Sequence, residues 1–550
     1  MTDNRYIIGR DRSAQGVVQI SGDVLIVMDV FSKNLRSNRA WLTLLECALI
    51  LAVSLLAEMT HFSAQQGRAV ICADSAQYVD TAEAMVNGDR LPHFEMRKSG
   101  YSLFLAVVLL AFGQLGWPVV AVQHAMLAML PLIAYGLGRV VHSRLLGWFA
   151  AAITIAELQT VIYGNRIMSE SLYALLLSVG IFLLVVAITR KKYVGWLAGA
   201  GLMLGLAWLT RGTATPIIAA TGLFMVYWLR ADRRKLALSL LMLGLPIAMC
   251  VAFECSLNGV LSGRWRPSNG TVGASLTLRM RYYDGVEIPN TVAAAAALRW
   301  LPGRSIDDAY LCSKLDVWFA RYRAIHDGGM NEWTYDDLMA EFGRDLVLAN
   351  LGSYVSNTLT YGIRHLFRQP QNAAPTLVSS SRRKGWLVHA ASVNDEEAET
   401  YWYAYWGQPH MPLSESVALV DRMKIAAQTR APFGDGAMWS HFRYYLTWPP
   451  LDAGLRFFRW LGSAWPMLGL LTCLAFRVHR NVCLLILAMW LAEAFFIALV
   501  IPTFDRLQFI WIVVDTTMAA SIFALPLQAC ASRYFGQAIG EMPSASLAAT

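Results

Sequence analysis

The chain has 550 residues, of which 56% are hydrophobic and only 15% charged, with a formal net charge of +8 and a mean hydropathy of +0.42. Ordinary soluble domains carry about 25% charged residues, so this composition excludes a protein that faces water on all sides and requires a bilayer. The positive charge does not mark a nucleic-acid partner, because the Lys and Arg residues fall largely in short loops between apolar runs, the distribution that membrane topology produces.

Residues 1–40 form a mixed segment ending in the basic stretch Lys33 to Arg39, with no cleavable signal pattern. Within it, Val17 to Phe31 reads as strand-like. Ten apolar runs follow, over 41–57, 117–138, 147–163, 169–189, 194–210, 213–229, 236–255, 457–476, 481–501 and 507–528, each near the length needed to cross a bilayer. The loops holding Arg139 and Arg144, Arg190 to Lys192, Arg230 to Lys235, and Arg477 and Arg480 are the basic ones. Placing them in the cytoplasm puts both termini there, including the tail 531–550, and leaves one basic residue in each opposite short loop (Arg166, Arg211, Arg506). Tyr101 to Phe112 is apolar but short, and Gly113, Gly116 and Pro118 follow it. Counting it as a span would invert every later loop, so it is expected to be an interfacial or re-entrant helix on the outer side.

The expected architecture is therefore an α-helical polytopic membrane protein. A seven-span module occupies 41–255 with a first outer loop at 58–116. A mixed extracytoplasmic region follows at 256–456, then three C-terminal spans over 457–530. Within the outer region, Trp333 to Leu366 has helical spacing through Tyr335, Leu338, Met339, Phe342 and Leu346, and Ala373 to Gly385 reads as loop. Cys72 and Cys312 could meet outside the cytoplasm, although spacing alone does not pair them.

The first outer loop carries Asp74, Tyr78 and Ala82 at helical spacing on one face, with Met85 nearby, while Asp80 and Glu83 point elsewhere. On residue chemistry alone, Asp74 is either a helix N-cap or a functional carboxylate. Arg97-Lys-Ser-Gly100-Tyr101-Ser-Leu-Phe104 follows. Further on come Arg166-Ile-Met-Ser-Glu170-Ser-Leu-Tyr173, Gly205-Leu-Ala-Trp-Leu-Thr-Arg211 and Asp505-Arg506-Leu507. The topology puts Asp74, Arg97, Arg166, Glu170, Arg211 and Arg506 on one side of the membrane. Each has a plainer reading too: the arginines as helix-end residues snorkelling to headgroups, Glu170 as a favourable charge near a helix N-terminus. Glu46, Glu157, Glu493 and Asp515 fall within spans, where a carboxylate either serves an ion pathway or is buried with a polar partner. His124 is expected to be a hydrogen-bonded core residue. No metal-ligand spacing and no phosphate-binding glycine loop is found.

These motifs, in this order, resemble the GT-C membrane glycosyltransferases, in the branch containing lipid A aminoarabinose transferase and the protein O-mannosyltransferases. Asp74, Tyr78, Ala82 and Gly88, then Arg97, Gly100, Tyr101, Leu103 and Phe104, match that family's first outer loop. Lys98, Ser99 and Ser102 stand where it usually has prolines. The "Ser-Glu" segment at Glu170 and the "Gly-Leu-Ala-x-Leu-Thr-Arg" end at Arg211 continue the likeness across residues 40–260. The resemblance implies the GT-C fold and a sugar donor linked through phosphate to a polyprenol in the bilayer. Transfer would go to a hydroxyl or phosphate of a lipid, glycan or protein, outside a bacterial inner (plasma) membrane.

Such chemistry needs a general base for the acceptor and cations for the departing lipid phosphate. Asp74 is expected to be the base, and Arg211, Arg97, Lys98 and Arg506 to bind the phosphate. Tyr78, Tyr101, Arg166 and Glu170 are expected to position the sugar, the acceptor or the base. Single displacement would invert the anomeric carbon. No cofactor is implied with certainty, and a divalent cation stays open. A transporter or flippase of lipid-linked sugars is the alternative; it predicts paired broken helices near the midplane, whereas the polar residues here gather on one side.

Overall fold

The computed structural model describes residues 22–64, 67, 69, 75–89, 97–156, 163–190, 193–263, 265–267, 275–277, 279–301, 320–321, 323–325, 327–330, 332–367, 464–476, 479–500 and 511–540. Asp74, Glu157, Asp505, Arg506, Cys72, Cys312 and the loop expected at Ala373 to Gly385 lie outside these residues. The described elements are helical, and the protein is an α-helical polytopic membrane protein.

The chain divides into two units, Met1–Ala52 and Val53–Thr550. In the first, helix α1 (Gly22–Ala64) begins well before the first expected span. This corrects the strand-like reading of Val17 to Phe31, at least from residue 22 onward. Adding a turn to an existing helix costs no new nucleus, so propagation from the apolar segment outweighs the β preference of Val24, Ile26 and Val30. The outward side chains of this part are apolar, Trp41, Leu44, Leu45 and Leu49 among them, as expected where the neighbouring solvent is lipid.

In the second unit, α1 runs to Ala64, and α2 (Ser75–Asn87) and α3 (Ser99–Phe112) follow. Gly113, at φ 69°, adopts the left-handed conformation and closes α3 with a bond from its N–H to Leu109 O. At 14 residues, α3 rises about 21 Å, too short to cross the hydrocarbon core unaided. The second expected span is split into α4 (Trp117–Ala128) and α5 (Leu130–Val141). Pro131 lacks an N–H and its ring crowds the preceding turn, which breaks the helix there.

Then come α6 (Arg144–Ala156), α7 (Glu170–Thr189), α8 (Val194–Thr210), α9 (Ala214–Leu229) and α10 (Arg233–Ser262). Helices α5 and α6 pack together, α7 packs on α5 and α8, and α8 packs along α10. The α8–α10 seam is close because Gly201 faces the backbone of Leu243 and Gly205 faces Cys250 and Ile247. Small residues allow this approach, on which packing between membrane helices depends. The far side of α10 turns Leu241, Leu245, Met249 and Phe253 outward.

Beyond α10 a small helical core forms around α11 (Val292–Leu298) and α12 (Glu332–Ala349). Tyr335, Met339, Phe342 and Leu346 line it, with Leu338 partly buried beside them. The helical spacing over 333–366 is interrupted at Asn350, after which α13 (Leu351–Phe367) begins. Asn350 directs its side-chain amide to Glu287 O and to Leu346 O, both at 3.0 Å. The C-terminal helices α14 (Ala464–Ala475), α15 (Arg480–Val500) and α16 (Ile512–Gly540) complete the described bundle. Helix α16 packs on α5, α6 and α14, and α15 packs on α9 and α13.

A buried cation joins the segment around α13 to the end of α15. Arg279 lies in a π-helical turn, Arg279–Tyr283, and is fully buried. Its Nη1 donates to Ala498 O at 2.5 Å and Leu499 O at 2.8 Å, the terminal carbonyls of α15. Its Nη2 donates to Tyr354 O and Thr358 Oγ1 of α13, and Nε to Asp284 Oδ2 at 3.2 Å. Tyr361 OH donates to the other oxygen of Asp284 at 2.9 Å. All five guanidinium donors are thereby used. Arg279→Met is expected to lower stability by about 3–5 kcal/mol, because it strands a carboxylate and two helix-end carbonyls. Thermal unfolding in detergent measures this; an unchanged midpoint would show the clamp to be dispensable.

Candidate active site

The first part of the site is built by α2, α3 and α4 around the segment 163–169. Their common core holds Tyr78, Ala82, Tyr101, Leu105, Val119 and Ile167. The face of α2 expected to carry Tyr78 and Ala82 is the buried one, while Asp80 and Glu83 are half-buried. Ser75 Oγ, at the start of α2, donates to Ile167 O at 2.8 Å, and Tyr78 OH donates to Ser169 Oγ at 3.3 Å. The Tyr78 and Tyr101 rings meet edge to face at 4.9 Å, a favoured aromatic geometry. Tyr101 OH donates to Gln123 Oε1 at 2.8 Å, and Gln123 Nε2 donates to Gly164 O at 2.9 Å and Arg166 O at 2.8 Å. Segment 163–169 is thus tied to α2 and α4 by buried polar contacts, and to α3 through Gln123.

The second part is basic. Gly100 packs against the last turn of α8: a Cβ there would sit 2.8 Å from Leu209 C and Thr210 N. That close approach sets the neighbouring Lys98 over α8 and α10. Lys98 Nζ stands 2.9 Å from Glu254 Oε2 and 3.6 Å above the Trp208 ring, so an ion pair and a cation–π contact hold the same ammonium. Burial lowers the Lys98 pKa, and the facing Glu254 pulls it partly back. Arg97 Nε donates to Gln77 Oε1 at 2.7 Å, and its guanidinium lies 5.8 Å from the Tyr78 ring centre.

The third part joins the start of α7 to the end of α8. Arg211 Nη1 lies 2.8 Å from Glu170 Oε1, with the carboxylate buried and the arginine 16% exposed. Glu493 of α15 is within electrostatic range of Arg211 and accepts a hydrogen bond from the Trp511 indole. Glu493 is therefore buried with a polar partner. His124 is likewise a hydrogen-bonded core residue: its Nδ1 is 2.6 Å from Glu58 Oε2.

The structure thus brings Tyr78, Arg97, Lys98, Tyr101, Glu170 and Arg211 into one linked network of α2, α3, α4, α7, α8 and α10. Arg166 joins it through its carbonyl, while its guanidinium lies 5.6 Å from the ring of its neighbour Tyr163. Asp74 and Arg506 lie outside the described residues. Four participants were missed in the sequence: Gln77, Gln123, Trp208 and Glu254. Two had a signal, since Glu254 is a carboxylate inside the 236–255 run and Gln123 an amide inside the 117–138 run, and polar groups in spans mark partners by default. Chemically, the network offers cations already balanced by carboxylates, beside an aromatic pair and a buried amide. An arriving anion would exchange with Glu170 and Glu254 for the same Arg and Lys donors.

No family model and no curated protein matches this sequence. Among solved structures, the chain is similar to the archaeal oligosaccharyltransferase AglB from Archaeoglobus fulgidus in complex with an inhibitory peptide and a dolichol-phosphate. The two are 15% identical, the match covers 90% of this chain and 52% of that one, and the TM-score is 0.38. A second Archaeoglobus fulgidus oligosaccharyltransferase structure, a complex with Zn and sulfate, matches at 14% identity over 76% of this chain and 55% of that one, with a TM-score of 0.31. The chain spans about half the length of the solved chains it matches.

Proposed function

We propose that this protein is an inverting glycosyltransferase of the GT-C type, moving a sugar from a polyprenyl-phosphate donor to an acceptor outside the cytoplasm. The observation that carries this reading is the convergence of the Arg97–Tyr101, Ser169–Glu170 and Trp208–Arg211 segments. The family resemblance singled out these segments separately, and they meet through direct contacts. In this mechanism Asp74 takes the proton of the acceptor hydroxyl as its oxygen attacks the anomeric carbon. The bond from that carbon to the lipid phosphate breaks on the opposite face, and Arg211, Lys98, Arg97 and Arg506 stabilise the phosphate that leaves. Tyr78 and Tyr101, buried behind the site, position the loop that carries Asp74, and Glu170 keeps the Arg211 fork oriented. The test is mass analysis of envelope glycans and glycolipids with and without the protein, followed by transfer assays in proteoliposomes. Movement of the lipid-linked sugar across the bilayer with no new glycosidic bond would favour the transporter alternative instead.

This reading gives Lys98 a pH signature. Its ammonium binds phosphate only while protonated, so donor affinity is expected to fall as pH rises through its lowered pKa. Glu254→Gln removes the carboxylate that pulls this pKa upward, so the alkaline rise in donor KM should move to lower pH, with kcat on the acid side little changed. Superimposable KM profiles for the two proteins would remove Lys98 from phosphate binding.

A further inference from the structure

Away from this network, α9 and α15 pack side by side without closing along their length. Between them runs an open groove of about 630 Å³. On α15 its lining is Arg480, Leu484, Ala488 and Ala492, one continuous row at four-residue spacing, inclined to the helix axis. Leu223 and Phe224 of α9 line it from the facing helix. From residue 480 to 492 the trough runs about 18 Å, close to the depth of one leaflet's hydrocarbon, about 15 Å.

The charge is confined to one end. Arg480 is the single charged residue among the described residues lining the groove, and it is exposed at the first position of α15. Tyr227, near the C-terminal end of α9, also lines the groove, and the Arg230 guanidinium lies 5.5 Å from its ring centre. The positive-inside pattern puts the loops that bear Arg230 and Arg480 at one membrane face, so both guanidinium groups belong to that end of the trough, where the positive end of the α15 dipole adds to Arg480.

We infer that this groove binds one anionic glycerophospholipid, an acyl chain lying in the trough and the phosphate seated on Arg480 and Arg230. The fork geometry of arginine suits a phosphate. The positive-inside pattern assigns these loops to the cytoplasmic leaflet, where anionic lipids collect and basic pockets between spans take their headgroups. A polyprenyl-phosphate donor would need its phosphate at the other end, beside Arg211. The lipid site is separate from the proposed sugar transfer and stands or falls without it.

Native mass spectrometry of the full chain, delipidated in detergent and titrated with phosphatidylglycerol or phosphatidylcholine, tests this. One phosphatidylglycerol per chain is expected, with phosphatidylcholine about tenfold weaker or more. Arg480→Gln, at an exposed position that packing does not need, should weaken phosphatidylglycerol by about tenfold. Ala488→Trp should fill the trough and abolish retention, whereas Leu241→Trp, on the outward face of α10, should leave it intact. Equal binding of both lipids, or binding indifferent to Arg480→Gln, would overturn the inference. So would displacement by polyprenyl phosphate that depends on Arg211, or a doubled mass showing a second copy in the groove.

Discussion

Asp74→Asn is expected to lower sugar transfer by about 10²–10⁴-fold, the usual contribution of a positioned general base, while leaving the protein inserted and folded. Asn keeps the size of the side chain and its capacity to accept a hydrogen bond, but it cannot take a proton. The neighbouring frame supports the separation of chemistry from folding. Ser75 is held by Ile167 O and Tyr78 by Ser169 and by the edge of Tyr101, so α2 is anchored through these side chains. The variant should therefore match the parent in thermal midpoint and donor binding and differ in turnover. Full transfer by Asp74→Asn in proteoliposomes supplied with a polyprenyl-phosphate sugar would remove Asp74 from the base role. Equal losses in donor binding and turnover would make it a binding residue instead.

The sequence displays the membrane helices well and their partners poorly, for one physical reason. A bilayer imposes a local requirement, about 20 consecutive apolar residues, that can be read without knowing what the runs pack against; among the described residues five helices meet it, while Ser99–Phe112, Arg144–Ala156, Val194–Thr210, Ala214–Leu229 and Pro466–Ala475 are shorter apolar helices. Local chemistry also marks where helices stop, as at Gly113 and at Pro131 inside the second run. Pairing is not local. Lys98 meets Glu254 across 156 residues of chain, and Tyr101 reaches the 163–169 segment only through Gln123. The rule that finds polar residues in spans applied equally to Glu254, but the side chain that answers it lay in a different part of the chain. Arg279 was still less visible, because its five partners come from α13, α15 and Asp284 and share no spacing. The misreading at 22–31 has the opposite cause: a local β preference was legible but lost to the continuing helix.

The Arg211–Glu170 pair separates a structural role from a functional one. Glu170 is buried and Arg211 nearly so, so Arg211→Ala alone strands a carboxylate and should cost about 3–5 kcal/mol of stability. A loss of activity in that variant would therefore be ambiguous. Combining Arg211→Met with Glu170→Gln removes both charges at similar volume, and the stability should largely return, since a buried ion pair replaced as a unit is often near neutral. Activity should not return with it. If the Arg211 guanidinium receives the departing phosphate, the double variant still lacks the donor of charge-assisted hydrogen bonds, and kcat/KM for the lipid-linked sugar stays about 10²–10³-fold down. Thermal unfolding and donor titration on the same four proteins give both sides of the cycle. Recovery of stability together with full transfer would make Arg211 a partner of Glu170 and nothing more, and phosphate binding would pass to Lys98 and Arg97.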